Sequence, residues 1–78
     1  MLKGKIVDVL SGYGFIKADG LERDFFFHKS ALQNGHFNSV YRGQEVKFSP
    51  ALDKVKGPKA KEVYINFKGE IEQWKVLT

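Results

Sequence analysis

The chain has no cysteine and, in 78 residues, only two prolines, one methionine and one tryptophan. Without thiols, neither disulfides nor thiolate-bound metals can reinforce it. Its two histidines, His28 and His36, stand eight residues apart with no acidic cluster beside them, so no structural metal or other cofactor is expected. No stretch approaches the roughly 20 apolar residues that a membrane-crossing helix needs. The segment Met1-Leu2-Lys3-Gly4-Lys5-Ile6 lacks the apolar run of a signal peptide, so a cytoplasmic setting away from membranes is expected. Internal repeats and long amphipathic helical periods are also missing. A chain of this length makes a single domain and buries only about 60% of its unfolded surface, so its core must come from ordinary apolar packing.

What is present reads as short strands separated by turns. Lys3 to Leu10 is rich in β-branched residues, Ser11-Gly12 signals a tight turn, and Tyr13 to Lys17 starts a second strand. Asp19-Gly20 marks a further hairpin, and Asp24 to His28 forms the third strand. A short irregular or helical stretch from Lys29 to Gln33 leads into an Asn34-Gly35 turn. Glu45 to Ser49 and Glu62 to Phe67 alternate apolar and polar residues and read as strands four and five. Five short strands, with tight hairpins and one long connection, predict an all-β antiparallel Greek-key barrel. The barrel is assigned to residues 1–67. Residues 68–78 form a C-terminal extension, in which Ile71, Trp74 and Leu77 suit either a short helix or an extra strand.

The informative run is Phe25-Phe26-Phe27-His28. Side chains alternate faces along a strand, so three consecutive Phe residues cannot all enter one core. Either Phe25 and Phe27 or Phe26 and His28 point inward, and a large ring lies outside in both cases. On the second strand Tyr13 and Phe15 share one face, with Gly14 adding no bulk between them and Ile16 turned to the core. Placed side by side, Tyr13, Phe15, Phe26 and His28 would make an aromatic platform on which bases of single-stranded nucleic acid can stack, at about 1–3 kcal/mol per base. The alternative is a second small core closed by the tail and Trp74.

Charge points the same way. Thirteen Lys and Arg against nine Asp and Glu leave a net charge of +4, which suits a polyanionic partner as well as simple solubility. The segment Asp53-Lys54-Val55-Lys56-Gly57-Pro58-Lys59-Ala60-Lys61 places four lysines in a loop between strands four and five, with Gly57-Pro58 expected to keep that loop from continuing as strand. In barrels of this class that loop borders the bound oligonucleotide.

These residues resemble the cold-shock domain family, whose fold is the OB-type barrel. Ser11-Gly12-Tyr13-Gly14-Phe15-Ile16 is similar to its motif Lys-Gly-Phe-Gly-Phe-Ile, and Asp24-Phe25-Phe26-Phe27-His28 to its motif Asp-Val-Phe-Val-His. The likeness continues through Ser30-Ala31-Leu32-Gln33-Asn34, Gly43-Gln44-Glu45-Val46-Lys47-Phe48, Lys56-Gly57-Pro58 and Val63, covering roughly residues 3 to 65. The resemblance implies that Phe25 and Phe27 point inward and that Tyr13, Phe15, Phe26 and His28 stack bases. It further implies a stacking role for Phe37 and a basic contact from Lys56. With Lys17, Asp24 and Lys29 from the same two strands and their continuation, these make up the expected nucleic-acid-binding set. Members of the family bind pyrimidine-rich single-stranded RNA and DNA and act as RNA chaperones or transcription antiterminators, so single-stranded RNA or DNA is the expected partner.

The chain departs from the family pattern in three places. Val7-Asp8-Val9-Leu10 stands where the family has Lys-Trp-Phe-Asn, the connection to the second strand is two residues shorter with Ser11 in place of a lysine, and Lys29 replaces an aromatic. Together these shorten one end of the platform. A competing reading makes the aromatic face a protein–protein or homodimer interface, so a monomer or a weak homodimer is expected. Catalysis is not expected: His28 has no nucleophile or carboxylate placed to work with it, and no catalytic residue is assigned.

Overall fold

A computed structural model describes residues 1–66. The strands are β1 (Leu2–Val9), β2 (Tyr13–Ala18), β3 (Asp24–His28), β4 (Glu45–Asp53) and β5 (Gly57–Ile65), with single 3₁₀ turns at Lys29–Ala31 and Phe37–Ser39. The strands close into a barrel in the order β1-β2-β3-β5-β4. Four seams are antiparallel, and the β3–β5 seam is parallel. Parity requires this. Five strands cannot alternate direction all the way round a ring, so one neighbouring pair must run the same way.

The inward faces follow the pleat. Ile6, Ile16, Phe27, Val46, Phe48, Val63 and Ile65 are fully buried, and Phe25 packs at 5.0 Å from Phe48. Phe25 and Phe27 are therefore inside and Phe26 and His28 outside, which settles the ambiguity of the third strand. β1 pairs with β4 through Leu2 to Lys5 and with β2 from Gly4 to Val9, the register against β2 slipping at Val7, between Ile6 and Asp8. Asn34 fastens the long connection to the last strand. Its side chain donates to the Ile65 carbonyl at 3.0 Å and accepts from the Ile65 N–H at 2.7 Å, much as a neighbouring strand would.

Strands four and five differ from the sequence reading. β4 runs on to Asp53 and β5 starts at Gly57, so Gly57-Pro58 opens a strand where it was expected to keep a loop from running as strand. Pro58 falls on the strand's second residue, at an end where its missing N–H costs little. Beyond Phe48 the outer half of this hairpin leaves the core, with Pro50, Leu52 and Val55 exposed. From Ser49 to Lys59 no residue is buried, so no inner face is there to imprint an apolar period. The expected fifth-strand residue Phe67 and the extension 68–78, with Trp74, lie outside the described residues.

Candidate nucleic-acid interface

The β2–β3 ribbon builds the site. Its register pairs Tyr13 with His28, Phe15 with Phe26 and Lys17 with Asp24, all on the outer face, and Gly14 with Phe27 and Ile16 with Phe25 on the inner one. The outer rings touch one another. Tyr13 and Phe26 lie 5.6 Å apart, Phe15 and Phe26 5.9 Å, and Tyr13 and Phe15 6.1 Å, the last two edge to face. Gly14 is what lets this ribbon lie flat on the core. A Cβ there would stand 2.8 Å from the Phe27 ring and 2.7 Å from the Asp8 carbonyl oxygen.

His28 completes the platform, its ring tethered to the turn that follows it. Its Nδ1 accepts from the backbone N–H of Ser30 at 3.1 Å and lies 2.8 Å from Ser30 Oγ. A backbone N–H can only donate, so Nδ1 is the acceptor and the neutral ring carries its proton on Nε2. Ser30 was not among the expected site residues. A serine two positions after a strand-ending histidine was the available signal, since hydroxyl and imidazole can meet across one turn.

Lys29 follows with its N–H bonded to the Gly12 carbonyl at 2.9 Å. It borders a groove of about 530 Å³ beside the platform, shared with Leu10, Tyr13, His28 and Phe37. Phe37 stands across this groove from the platform. Its ring is half-buried and meets Phe27 edge-on at 6.0 Å, so it joins the rim of the core and not the outer stack. The shortened β1–β2 connection leaves Leu10 at the groove. At the opposite end, Lys17 lies 3.5 Å from Glu22 with both side chains largely in solvent, a pairing of little energetic weight. Asp24 is exposed beside it.

The lysines do not share one loop, as the sequence reading had them. Only Lys54 and Lys56 occupy the β4–β5 turn; Lys59 and Lys61 are in β5. Asp53 orders the turn by accepting from the N–H groups of Val55 and Lys56 at 2.8 and 2.9 Å, and Gly57, at φ +79°, supplies the left-handed residue that closes it. Those two backbone hydrogen bonds hold the Asp53 carboxyl below its ordinary pKa, helped by nearby Lys59 and Lys56. An Asp followed four residues later by Gly is the turn signature that the lysine count obscured. The ordered turn carries Lys56 Nζ over the Phe26 ring, 4.3 Å from its centre. Basic turn and aromatic platform thus form one surface.

The family model described as the "Cold-shock" DNA-binding domain matches residues 3–66. The chain is 41% identical over 54 residues to the cold shock-like protein CspB of Escherichia coli (strain K12), covering 69% of this chain and 75% of that one. It is 44% identical over 55 residues to the cold shock-like protein CspD of Bacillus cereus, covering 70% and 80%. The likeness to a cold shock-like protein of Aquifex aeolicus is 37% over 54 residues, covering 69% and 76%. With the two aromatic motifs paired on one face of a closed five-stranded barrel, the chain belongs to the cold-shock domain family, whose members are non-enzymatic nucleic-acid-binding proteins.

Proposed function

We propose that this domain binds single-stranded RNA or DNA with little sequence preference, and that it acts as an RNA chaperone or as a regulator of transcription or translation. The observation that carries the reading is the outer cluster of Tyr13, Phe15 and Phe26, with centres 5.6–6.1 Å apart, beside His28 and under the Lys56 ammonium. Every base has a π-face, so stacking on rings is tolerant of sequence, while cations at the edge follow the phosphates. A duplex has its base faces already covered and offers such a surface only its backbone. A groove at each flank of His28 gives a strand room to continue past the stack. A cytoplasmic setting and action as a monomer or weak homodimer belong to the same reading; a second copy laid on this face would compete with bases for the rings.

Binding of short oligo-dT and oligo-U by Phe15→Ala and Phe26→Ala tests it. Each variant is expected to stay folded and to lose about 1–3 kcal/mol of binding free energy. Affinity of the parent should fall with salt at a log–log slope of about −0.7 for each phosphate neutralised. Unchanged binding by both variants, or equal affinity for a matched duplex, would refute the stacking role.

A further inference from the structure

The parallel seam does not close along its length. β3 meets β5 at Phe26 and Lys59, and the chain meets β5 again at Leu32 and Val63. Between these points His28 and the 3₁₀ turn Lys29–Ala31 swing away, leaving a cleft of about 170 Å³. His28 and Ser30 form one bank and Lys59 and Lys61 the other, while the small side chains of Ala31 and Ala60 leave it room.

Lys61 reaches this place through an irregularity in β5. The register steps from Ser49–Glu62 to Pro50–Ala60, so Lys61 is an extra residue with no partner position on β4. Such a bulge re-aims one side chain and restores the alternation beyond it. Here it leaves Lys61 exposed between buried Ala60 and buried Val63. The chemistry of the banks is one-sided. Two ammonium groups and an imidazole whose proton is on Nε2 can all donate, the Ser30 hydroxyl is engaged with Nδ1, and no carboxylate lines the cleft. Asp53 lies 3.7 Å from Lys59 Nζ, in the hairpin beside it.

We infer that this cleft seats a phosphodiester group of the bound single strand, so that the strand leaves the platform past Phe26 and His28 and crosses the open seam. The inference rests on the function proposed above. The cleft adjoins two of the platform rings, so the backbone of a nucleotide stacked on either lies within reach of it. Its size suits a phosphate better than a base with its sugar.

Hexathymidylates carrying a single neutral methylphosphonate linkage, walked through each position, test this with the parent, Lys61→Gln, Phe26→Ala and Arg42→Gln. Arg42 is exposed in the turn before β4, outside the cleft, and removes the same charge. For Lys61→Gln the salt slope should become shallower by about 0.7. Neutralising one particular linkage should weaken the parent but not this variant, which is coupling between that phosphate and that lysine. Arg42→Gln should keep the parent's dependence on linkage position. If Lys61→Gln behaves as Arg42→Gln does at every linkage while Phe26→Ala weakens binding, the cleft assignment fails and the platform stands. If Phe26→Ala binds every oligonucleotide as the parent does, the platform reading falls and the cleft assignment with it.

Discussion

Phe26 and Phe27 are adjacent in β3 and chemically identical, yet their surroundings share almost nothing. Phe27 has no solvent exposure and packs among Gly14, Phe37 and the core, whereas Phe26 lies outside, flanked by two rings and capped by an ammonium. The pleat alone makes this division. Its lesson is that stability and ligand contact are carried by alternate residues of the same ribbon and can be altered separately.

The largest effect should come from breaking the inner side. Phe27→Ala is expected to cost about 3–5 kcal/mol, a large part of the roughly 4–12 kcal/mol available to a domain of this size. Denaturant unfolding followed by circular dichroism should show the largest fall in unfolding midpoint among these variants. Next comes Gly14→Ala, which forces a methyl against Phe27 and the Asp8 carbonyl. Overpacking of that kind costs about 1–3 kcal/mol, readable as a lowered unfolding midpoint. Because the added group lies beneath the ribbon, it should also move the Tyr13 and Phe15 ring resonances. Phe26→Ala sharpens the contrast from the other side, with a stability loss limited to ring contacts worth about 0.5–1.5 kcal/mol each and its main consequence in oligonucleotide binding.

The smallest effect concerns the turn that brings Lys56 to the platform. Asp53 has its pKa lowered in the folded chain by the two backbone N–H groups it accepts from, so its contribution is present above the ordinary carboxylate pKa and lost as pH falls through the lowered one. Acid titration should therefore release the Val55 and Lys56 amides from the cap, seen as shifts of their resonances, before the barrel unfolds. Asp53→Asn should remove that acid step. A titration identical in the two proteins would mean that the cap is not what orders the turn.

Legibility in the sequence follows the same inside–outside division. β3 was readable to within one choice, because three consecutive Phe residues admit only two orientations and the family resemblance pointed to the one observed, and the platform followed once β2 was laid beside it. The outer half of the β4–β5 hairpin was not readable. Its side chains alternate between one kind of exposure and another, and Leu52, although apolar, is 79% exposed. The bulge at Lys61 was equally invisible, since a register slip is a relation between two strands and leaves no mark on either one alone. Phe37 shows a third limit. Motif resemblance gave it a stacking role, but only the packed chain shows that its ring leans on Phe27. The His28–Ser30 contact depended on the turn that follows β3, whose 3₁₀ geometry composition does not specify.

The ammonium above Phe26 means that this ring of the platform is covered in the free domain. A base arriving on that ring face would evict a cation already resting there, so association at this position is an exchange of one lid for another. The stacking gain measured there is accordingly a difference, smaller than the same ring would give if uncovered. Removing Lys56 would then act in two opposed ways, uncovering the ring while withdrawing a charge from the phosphates, and high salt, which silences the second effect, is the condition that lets the first be seen.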